Sequence, residues 1–426
     1  MAAERGDGGG AVTLLADMLS TLLQRTYRAG GQGRADTRPM PELATDLIGA
    51  TGEISGLTLA RTMLDTYADM DDEAKLDFFR YLAEEMTISP PEVRAALDAY
   101  EAAQTRATYR AFMTAAEPPR QELFRRLNQV PGATSALVAM RADLLRLGRK
   151  DDALLALDLD FRHLFASWFN RGFLVLRPIS WESPAHILEK IIAYEAVHAI
   201  DSWDDLRRRL EPPDRRCFAF FHPAMPDEPL IFVQVALTRG VPGSVQGLLS
   251  EERTQIAGED ANTAVFYSIT NCQSGLAGIS FGNSLIKQVA ADLSLEFPGL
   301  KTFVTLSPIP GLLRWLQSEA HSYDPNDDEA MRALAARYLI GARQPEGLPR
   351  DPVARFHLGN GAQVHQIHAR ADISDKGLRQ SAGVMVNYLY DINKVSQNQE
   401  RFAATREIAA SSEVRSLSAA AEKALA

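Results

Sequence analysis

The chain has 426 residues, 46% hydrophobic and 23% charged, which is enough to bury a large core and more than the roughly 250–300 residues that one core organises. Its formal net charge of −10 repels phosphate backbones and anionic bilayers, so neither nucleic acid nor a membrane is an expected partner. With only Cys217 and Cys272, no run of about 18 apolar residues and no targeting signal in MAAERGDGGG or EKALA, the protein is expected to be reduced, soluble and cytoplasmic.

The glycine-rich residues 1–10 read as disordered. After them, AVTLLADMLSTLLQRTYRAGG sets Leu15, Met18, Leu19 and Leu22 on one helical face and stops at Gly30-Gly31. MDDEAKLDFFRYLAEEM, PPEVRAALDAYEAAQTRATYRAFM, RQELFRRLNQ and SALVAMRADLLRLG repeat that spacing between SPP, EPP and VPG breaks, so residues up to about 170 are predicted all-helical. Their Leu, Phe and Met stripes suit core and subunit contact, and nothing among them suggests chemistry.

From residue 172 the texture changes. After the helices AHILEKIIAYEAVHAI and WDDLRRRLEPP come strand-like runs at 216–222, 229–237, 263–270, 300–307 and 383–391. The helix NSLIKQVAADLSLEF (283–297) separates the third run from the fourth, which predicts parallel pairing across a crossover. The loop before that helix, NCQSGLAGISFGNS, carries glycines at 275, 278 and 282, which would let a phosphate approach the backbone at a helix start. Its spacing fits neither the dinucleotide fingerprint nor a P-loop. Cys272 in this loop has no neighbouring histidine in sequence to activate it, and small buried cysteines are common.

The run 300–307 ends in TLSPIPG. Pro308 holds Ser307 extended and takes the chain out of the ladder, so the hydroxyl is either a satisfied strand end or a presented group. His357, before the Gly-Asn-Gly of FHLGNGA, is expected at a loop edge and to titrate near neutrality. His365 and His368, three apart on a strand, are expected on opposite faces, and the remaining histidines show no metal-ligand spacing.

FYSITNCQSGLAGISFGNSLIKQV, TFVTLSPIPGLLRWL, FHLGNGA and GVMVNYLYDINKV, with RPISWESPAHILEKIIAYEAVHAI and HPAMPDEPLIFVQVAL upstream, resemble the malonyl-CoA decarboxylase family over about residues 172–395. The resemblance implies an α+β multidomain chain. Residues 1–172 would be a helical oligomerisation domain and 173–426 a GNAT-like (N-acetyltransferase-like) α/β catalytic domain. It implies decarboxylation of malonyl-CoA to acetyl-CoA and CO2, with Ala277, Gly278, Ile279, Ser280, Phe281, Gly282 and Asn283 at the substrate. Ser307 would be the catalytic serine, His357 the proton donor and Tyr390 their support. No metal or organic cofactor is implied, since the thioester carbonyl accepts the electron pair, and a homodimer or homotetramer is. A glutamate that some relatives carry in the loop is Ser280 here, so its role does not transfer, and EKALA differs from the peroxisomal ending of animal relatives. Alternative readings are a GNAT-type acyltransferase, a Ser-His thioesterase, which would want a G-x-S-x-G elbow that Ser307 lacks, and a non-catalytic acyl-CoA-binding protein. Lys287 and Lys301 lie near the loop in sequence, but the sequence does not assign the CoA phosphates to either.

Overall fold

The computed structural model describes residues 38–279 and 285–425; the predicted helix within 11–31 and loop residues 280–283 lie outside them. The described chain begins with eight helices: α1 (Met40–Gly49), α2 (Glu53–Ala68), α3 (Asp72–Glu84), α4 (Pro90–Ala102), α5 (Arg106–Ala115), α6 (Pro119–Leu127), α7 (Ala133–Leu147) and α8 (Asp152–Trp168). Side chains at helical spacing, among them Phe79, Leu82, Leu123, Phe124, Leu137, Leu157, Phe161 and Phe165, are fully buried, and Phe124 stacks on Phe161 at 4.2 Å. A buried ion pair ties three helices together: Arg120 donates to Asp160 at 2.6 Å and to the carbonyls of Leu82 and Ala83.

The single helix expected over 90–113 is two. Thr105 caps α5 and exchanges hydrogen bonds with Thr108 in a capping box, which starts a new helix where the spacing alone suggested continuity. The resulting α4–α5 pair buries none of its residues.

The rest of the chain is built on a mixed sheet in the order β1-β2-β3-β4-β5-β8-β6, with β7 added on β8. Its strands are β1 (Val175–Ile179), β2 (Arg215–Phe221), β3 (Ile231–Thr238), β4 (Thr263–Asn271), β5 (Thr302–Thr305), β6 (Ser307–Pro308), β7 (Gln363–His368) and β8 (Met385–Leu389). Helices α9 (Ala185–Tyr194), α10 (Trp203–Leu210) and α11 (Val245–Leu249) precede the crossover helix α12 (Leu285–Glu296), and α13 (Leu312–Ser318) and α14 (Asp328–Gly341) follow it. Every pair of strands is antiparallel except β4 with β5, which α12 makes parallel, as the sequence predicts. The chain is thus a helical part followed by a mixed sheet, as the α+β expectation has it.

Two details position the site. The β4–β5 ladder runs only from Thr263 to Phe266, and beyond it β4 continues to Asn271 beside β3 alone, so the two strands part and leave a cleft. The expected strand 300–307 breaks at Leu306, whose amide bonds Phe266, and the chain then changes partner. Pro308 therefore does not take the chain out of the sheet: Ser307 and Pro308 pair with Val386 and Met385 of β8. A proline is tolerated there because the bridge is two residues long at the sheet's end.

The helical part and the sheet share one core. Gly275 packs so tightly on α7 that a Cβ there would fall 1.8 Å from the Val138 carbonyl. Arg141, on the same helix and 1% exposed, donates to the carbonyls of Gly275 (2.7 Å) and Ala277 (2.9 Å) while paired with Asp158.

Candidate active site

Ser307, His357 and Tyr390 come from three elements distant in sequence and meet in one buried place, respectively 5%, 3% and 4% exposed. Ser307 sits on β6. His357 lies not at a loop edge but inside helix α15 (Pro352–Gly359), which Pro352 opens and Asp351 caps by accepting the Ala354 amide at 2.9 Å. The Gly-Asn-Gly motif follows this helix rather than forming the turn that would have exposed the ring. Tyr390 follows β8, and its amide is held by the Phe303 carbonyl of β5.

The polar atoms form a chain. Tyr390 Oη lies 2.8 Å from His357 Nδ1, His357 Nε2 lies 3.2 Å from Ser307 Oγ, and Ser307 Oγ lies 2.8 Å from Thr305 Oγ1. Thr305 Oγ1 also accepts the Tyr388 amide at 3.1 Å. The Tyr390 hydroxyl has no other hydrogen-bond partner among the described residues, and leaving a buried phenol proton unpaired is costly. Tyr390 therefore donates to Nδ1, which leaves the ring's proton on Nε2, pointing to Ser307.

Burial governs protonation here. Desolvation pulls the His357 imidazole down to about 3, so it is neutral at physiological pH and does not titrate near neutrality as the sequence reading expected. The same cause raises Tyr390 and Tyr388 well above the ordinary phenol value. The Tyr388 ring stacks on His357, centroid to centroid 4.4 Å. Burial lifts Asp351 to about 6 despite the backbone amides it accepts. Asp351 Oδ2 and Tyr388 Oη are both buried without a hydrogen-bond partner among the described residues.

The sequence reading missed Thr305, Tyr388 and Asp351. Strand periodicity pointed to two of them: Thr305 stands two residues before Ser307 and Tyr388 two before Tyr390. Asp351-Pro352 is a helix-start signature just before FHLGNGA.

Beside this chain opens a cavity of about 390 Å³, lined by Ala277, Gly278 and Ile279 of the loop, by Asn271 and Cys272 at the end of β4, and by Phe356 and Asn360 flanking His357. Gly278 takes φ +76°, which only glycine adopts at low cost. Ser280, Phe281, Gly282 and Asn283 lie outside the described residues. Cys272 is buried, and desolvation raises its thiol far above the ordinary value, so it is not a poised nucleophile. A β-bulge between Val364 and Gln366 interrupts the strand period from which His365 and His368 were expected on opposite faces.

A cleft opened by parting parallel strands, with a glycine loop on one side and a buried chain of hydrogen-bonded side chains on the other, is the frame of an enzyme that binds its substrate at the carboxyl ends of a sheet's strands. Comparison with known proteins makes the assignment specific. Residues 172–328 and 324–426 match the malonyl-CoA decarboxylase C-terminal domain family, and residues 88–169 match the malonyl-CoA decarboxylase N-terminal domain family. The mitochondrial malonyl-CoA decarboxylase of Anser anser anser is 33% identical over 355 residues, covering 70% of this chain and 69% of its own. The crystal structure of malonyl-CoA decarboxylase from Rhodopseudomonas palustris superposes with a TM-score of 0.84 at 48% identity, over 88% of this chain and 98% of that one. The enzyme from Agrobacterium vitis gives 0.83 at 46%, over 89% and 99%. The chain belongs to the malonyl-CoA decarboxylase family, a family of carboxy-lyases. Among the described residues no helix is long and apolar enough to cross a membrane.

Proposed function

We propose that this chain decarboxylates malonyl-CoA to acetyl-CoA and CO2, with Ser307, His357 and Tyr390 handling the proton and Ala277–Asn283 lying along the CoA arm. The bond between the malonyl carboxylate and Cα breaks, CO2 leaves, and the electron pair moves into the thioester carbonyl to give an enolate. The thioester is itself the electron sink, so the reading asks for no metal or organic cofactor. Ser307 turns its hydroxyl from Thr305 to the thioester oxygen as negative charge grows there. His357 passes its Nε2 proton to Cα while the Tyr390 proton moves to Nδ1, and solvent restores one proton per turnover. A neutral imidazole suffices as donor because the enolate carbon of a thioester is far more basic than a phenolate, so the transfer runs downhill.

The observation that carries this reading is the donor chain from Tyr390 through His357 to Ser307, next to the loop cavity. The test is incubation of the purified protein with malonyl-CoA and no acyl acceptor. Acetyl-CoA and CO2 in equal amounts are expected; free CoA would mean a thioesterase, and no turnover until an amine is added would mean an acyltransferase.

The division into a helical assembly domain (1–172) and a catalytic domain (173–426), and a cytoplasmic homodimer or homotetramer, belong to the same proposal. The α4–α5 pair supports assembly, since Leu97, Tyr109 and Met113 stand exposed on helices with no buried residues. Both cysteines are free, in keeping with a reducing compartment.

A further inference from the structure

We infer that the phosphate-bearing end of the CoA thioester is gripped by three cations meeting at the joint between the helical part and the sheet: Arg162 of α8, Arg171 just beyond it, and Lys287 of α12. The inference rests on the acyl-CoA reading above and names the residues that hold the ligand's charged end.

Their placement is set by the fold. The Arg162 guanidinium lies against the glycine loop, with its Cζ and Nη2 both 3.9 Å from where a Cβ on Gly278 would stand. Arg171 lines the same cavity as Ala277, Gly278, Ile279 and Leu285, the first described residue of α12. Lys287 stands two residues further along that helix and donates to the neutral Gln399 Oε1 at 2.6 Å. Burial, and after it the positive charge of Arg171, pull the Lys287 ammonium below its ordinary value, with Glu400 opposing them. Of the three cations Arg171 lines the cavity, Arg162 stands against its glycine loop and Lys287 lies near enough to Arg171 to feel its charge, in a chain whose net charge is −10.

Two buried arginines of the helical part are answered by carboxylates, Arg120 by Asp160 and Arg141 by Asp158. Neither Arg162 nor Arg171 has a hydrogen-bond or ion-pair partner among the described residues, and Lys287 is bonded only to an amide. Arg171 and Lys287 repel one another with only Glu400 to offset them, and a bound anion turns that cost into binding. The cavity that Arg171 lines runs along the loop to Phe356 and Asn360, near His357 in sequence. An anion seated at the cations is therefore joined to the proton relay by an arm that fills this cavity, as phosphates are joined to the acyl group in a CoA thioester. Lys301 takes no part: it precedes β5 at the end opposite the cleft and is exposed there. Two of the three cations come from α8 and the segment after it, so the helical part would supply part of the substrate site.

The test compares malonyl-CoA with malonyl-pantetheine, which keeps the reacting end and lacks every phosphate, in the full-length protein and its Arg162→Gln, Arg171→Gln and Lys287→Gln variants. The ratio of kcat/KM for malonyl-CoA to that for malonyl-pantetheine is expected to fall roughly 10- to 100-fold in each variant, the range of a charge-assisted hydrogen bond, mainly through KM. Malonyl-dephospho-CoA then separates the 3′-phosphate from the diphosphate. A ratio that stays at the wild-type value in all three variants overturns the inference. If the wild type turns over neither thioester, it is the decarboxylase reading that fails, and calorimetric titration with CoA still decides the cation site: wild-type affinity in all three variants would reject it.

Discussion

At the scale of single residues, the informative feature is the direction in which His357 is wired. In a serine–histidine nucleophilic pair a carboxylate accepts from Nδ1, which frees Nε2 to take the serine proton. Here a phenol donates to Nδ1, so Nε2 already carries a proton and has no capacity to activate Ser307 as a nucleophile. The arrangement suits delivery of a proton, not its removal, and it weighs against the thioesterase reading. Replacing His357 by Asn should slow decarboxylation by about 10²–10⁴, the usual worth of a positioned proton donor, with CoA affinity kept. Tyr390→Phe removes the group that sets the tautomer and should cost about tenfold or more in kcat with little change in KM. Because burial holds His357 near 3, kcat should show no inflection around pH 6.5. A wild-type inflection there that disappears in the Asn variant would mean that a protonated imidazole does the work.

At the scale of elements, α15 is the piece on which the site depends, and its cap is under electrostatic stress. Asp351 is fully buried, its Oδ2 has no partner among the described residues, and its carboxyl is raised to about 6. A carboxyl raised above its unfolded value stabilises the fold below that value and loses the contribution as pH climbs through 6. Asn keeps the helix cap without the charge, so the stability of Asp351→Asn relative to wild type should rise by about 1–2 kcal/mol between pH 5 and pH 8, followed by denaturant unfolding at both values. A constant difference would show that Asp351 does not ionise in that window. The contrast with the sequence reading also belongs at this scale. The crossover helix and parallel pair were legible because Leu285, Ile286, Val289 and Leu293 repeat at helical spacing between two β-rich runs. The serine's proline was legible as punctuation, but its sheet partner was not, because pairing to β8 is a contact across some 80 residues. His357 was read as a loop residue because Gly359-Asn360-Gly361 ends a helix as readily as it makes a turn. Its burial depends on Tyr388 and Tyr390, whose side of β8 is fixed only once β5, β6 and β7 are in place.

At the scale of the whole molecule, the helical part and the sheet are joined more intimately than two domains on a linker. A single hydrophobic core runs from Leu43 and Phe79 through Val138 and Leu276 to Phe303 and Tyr390. The joint is polar as well: Arg141, 1% exposed, spends its guanidinium on Asp158 and on the Gly275 and Ala277 carbonyls of the glycine loop. Removing that side chain strands a carboxylate and two carbonyls in the interior, a loss of about 3–5 kcal/mol for a broken buried pair. The shared core predicts that the two parts unfold together, so far-UV circular dichroism, dominated by the helices, and tryptophan fluorescence of a Trp168→Phe background, which samples Trp181, Trp203 and Trp315 around the sheet, should follow one transition. Arg141→Met should shift both probes to lower denaturant by the same amount. If the loop lies along the CoA arm as proposed, Arg141→Met should also raise KM for malonyl-CoA more than it lowers kcat, because the carbonyls it frees belong to that loop, and Arg141→Lys should recover part of that loss. Two separate transitions in the Trp168→Phe background would mean that the helical part is an independent unit, and the loop's geometry would then have to be set from within the sheet.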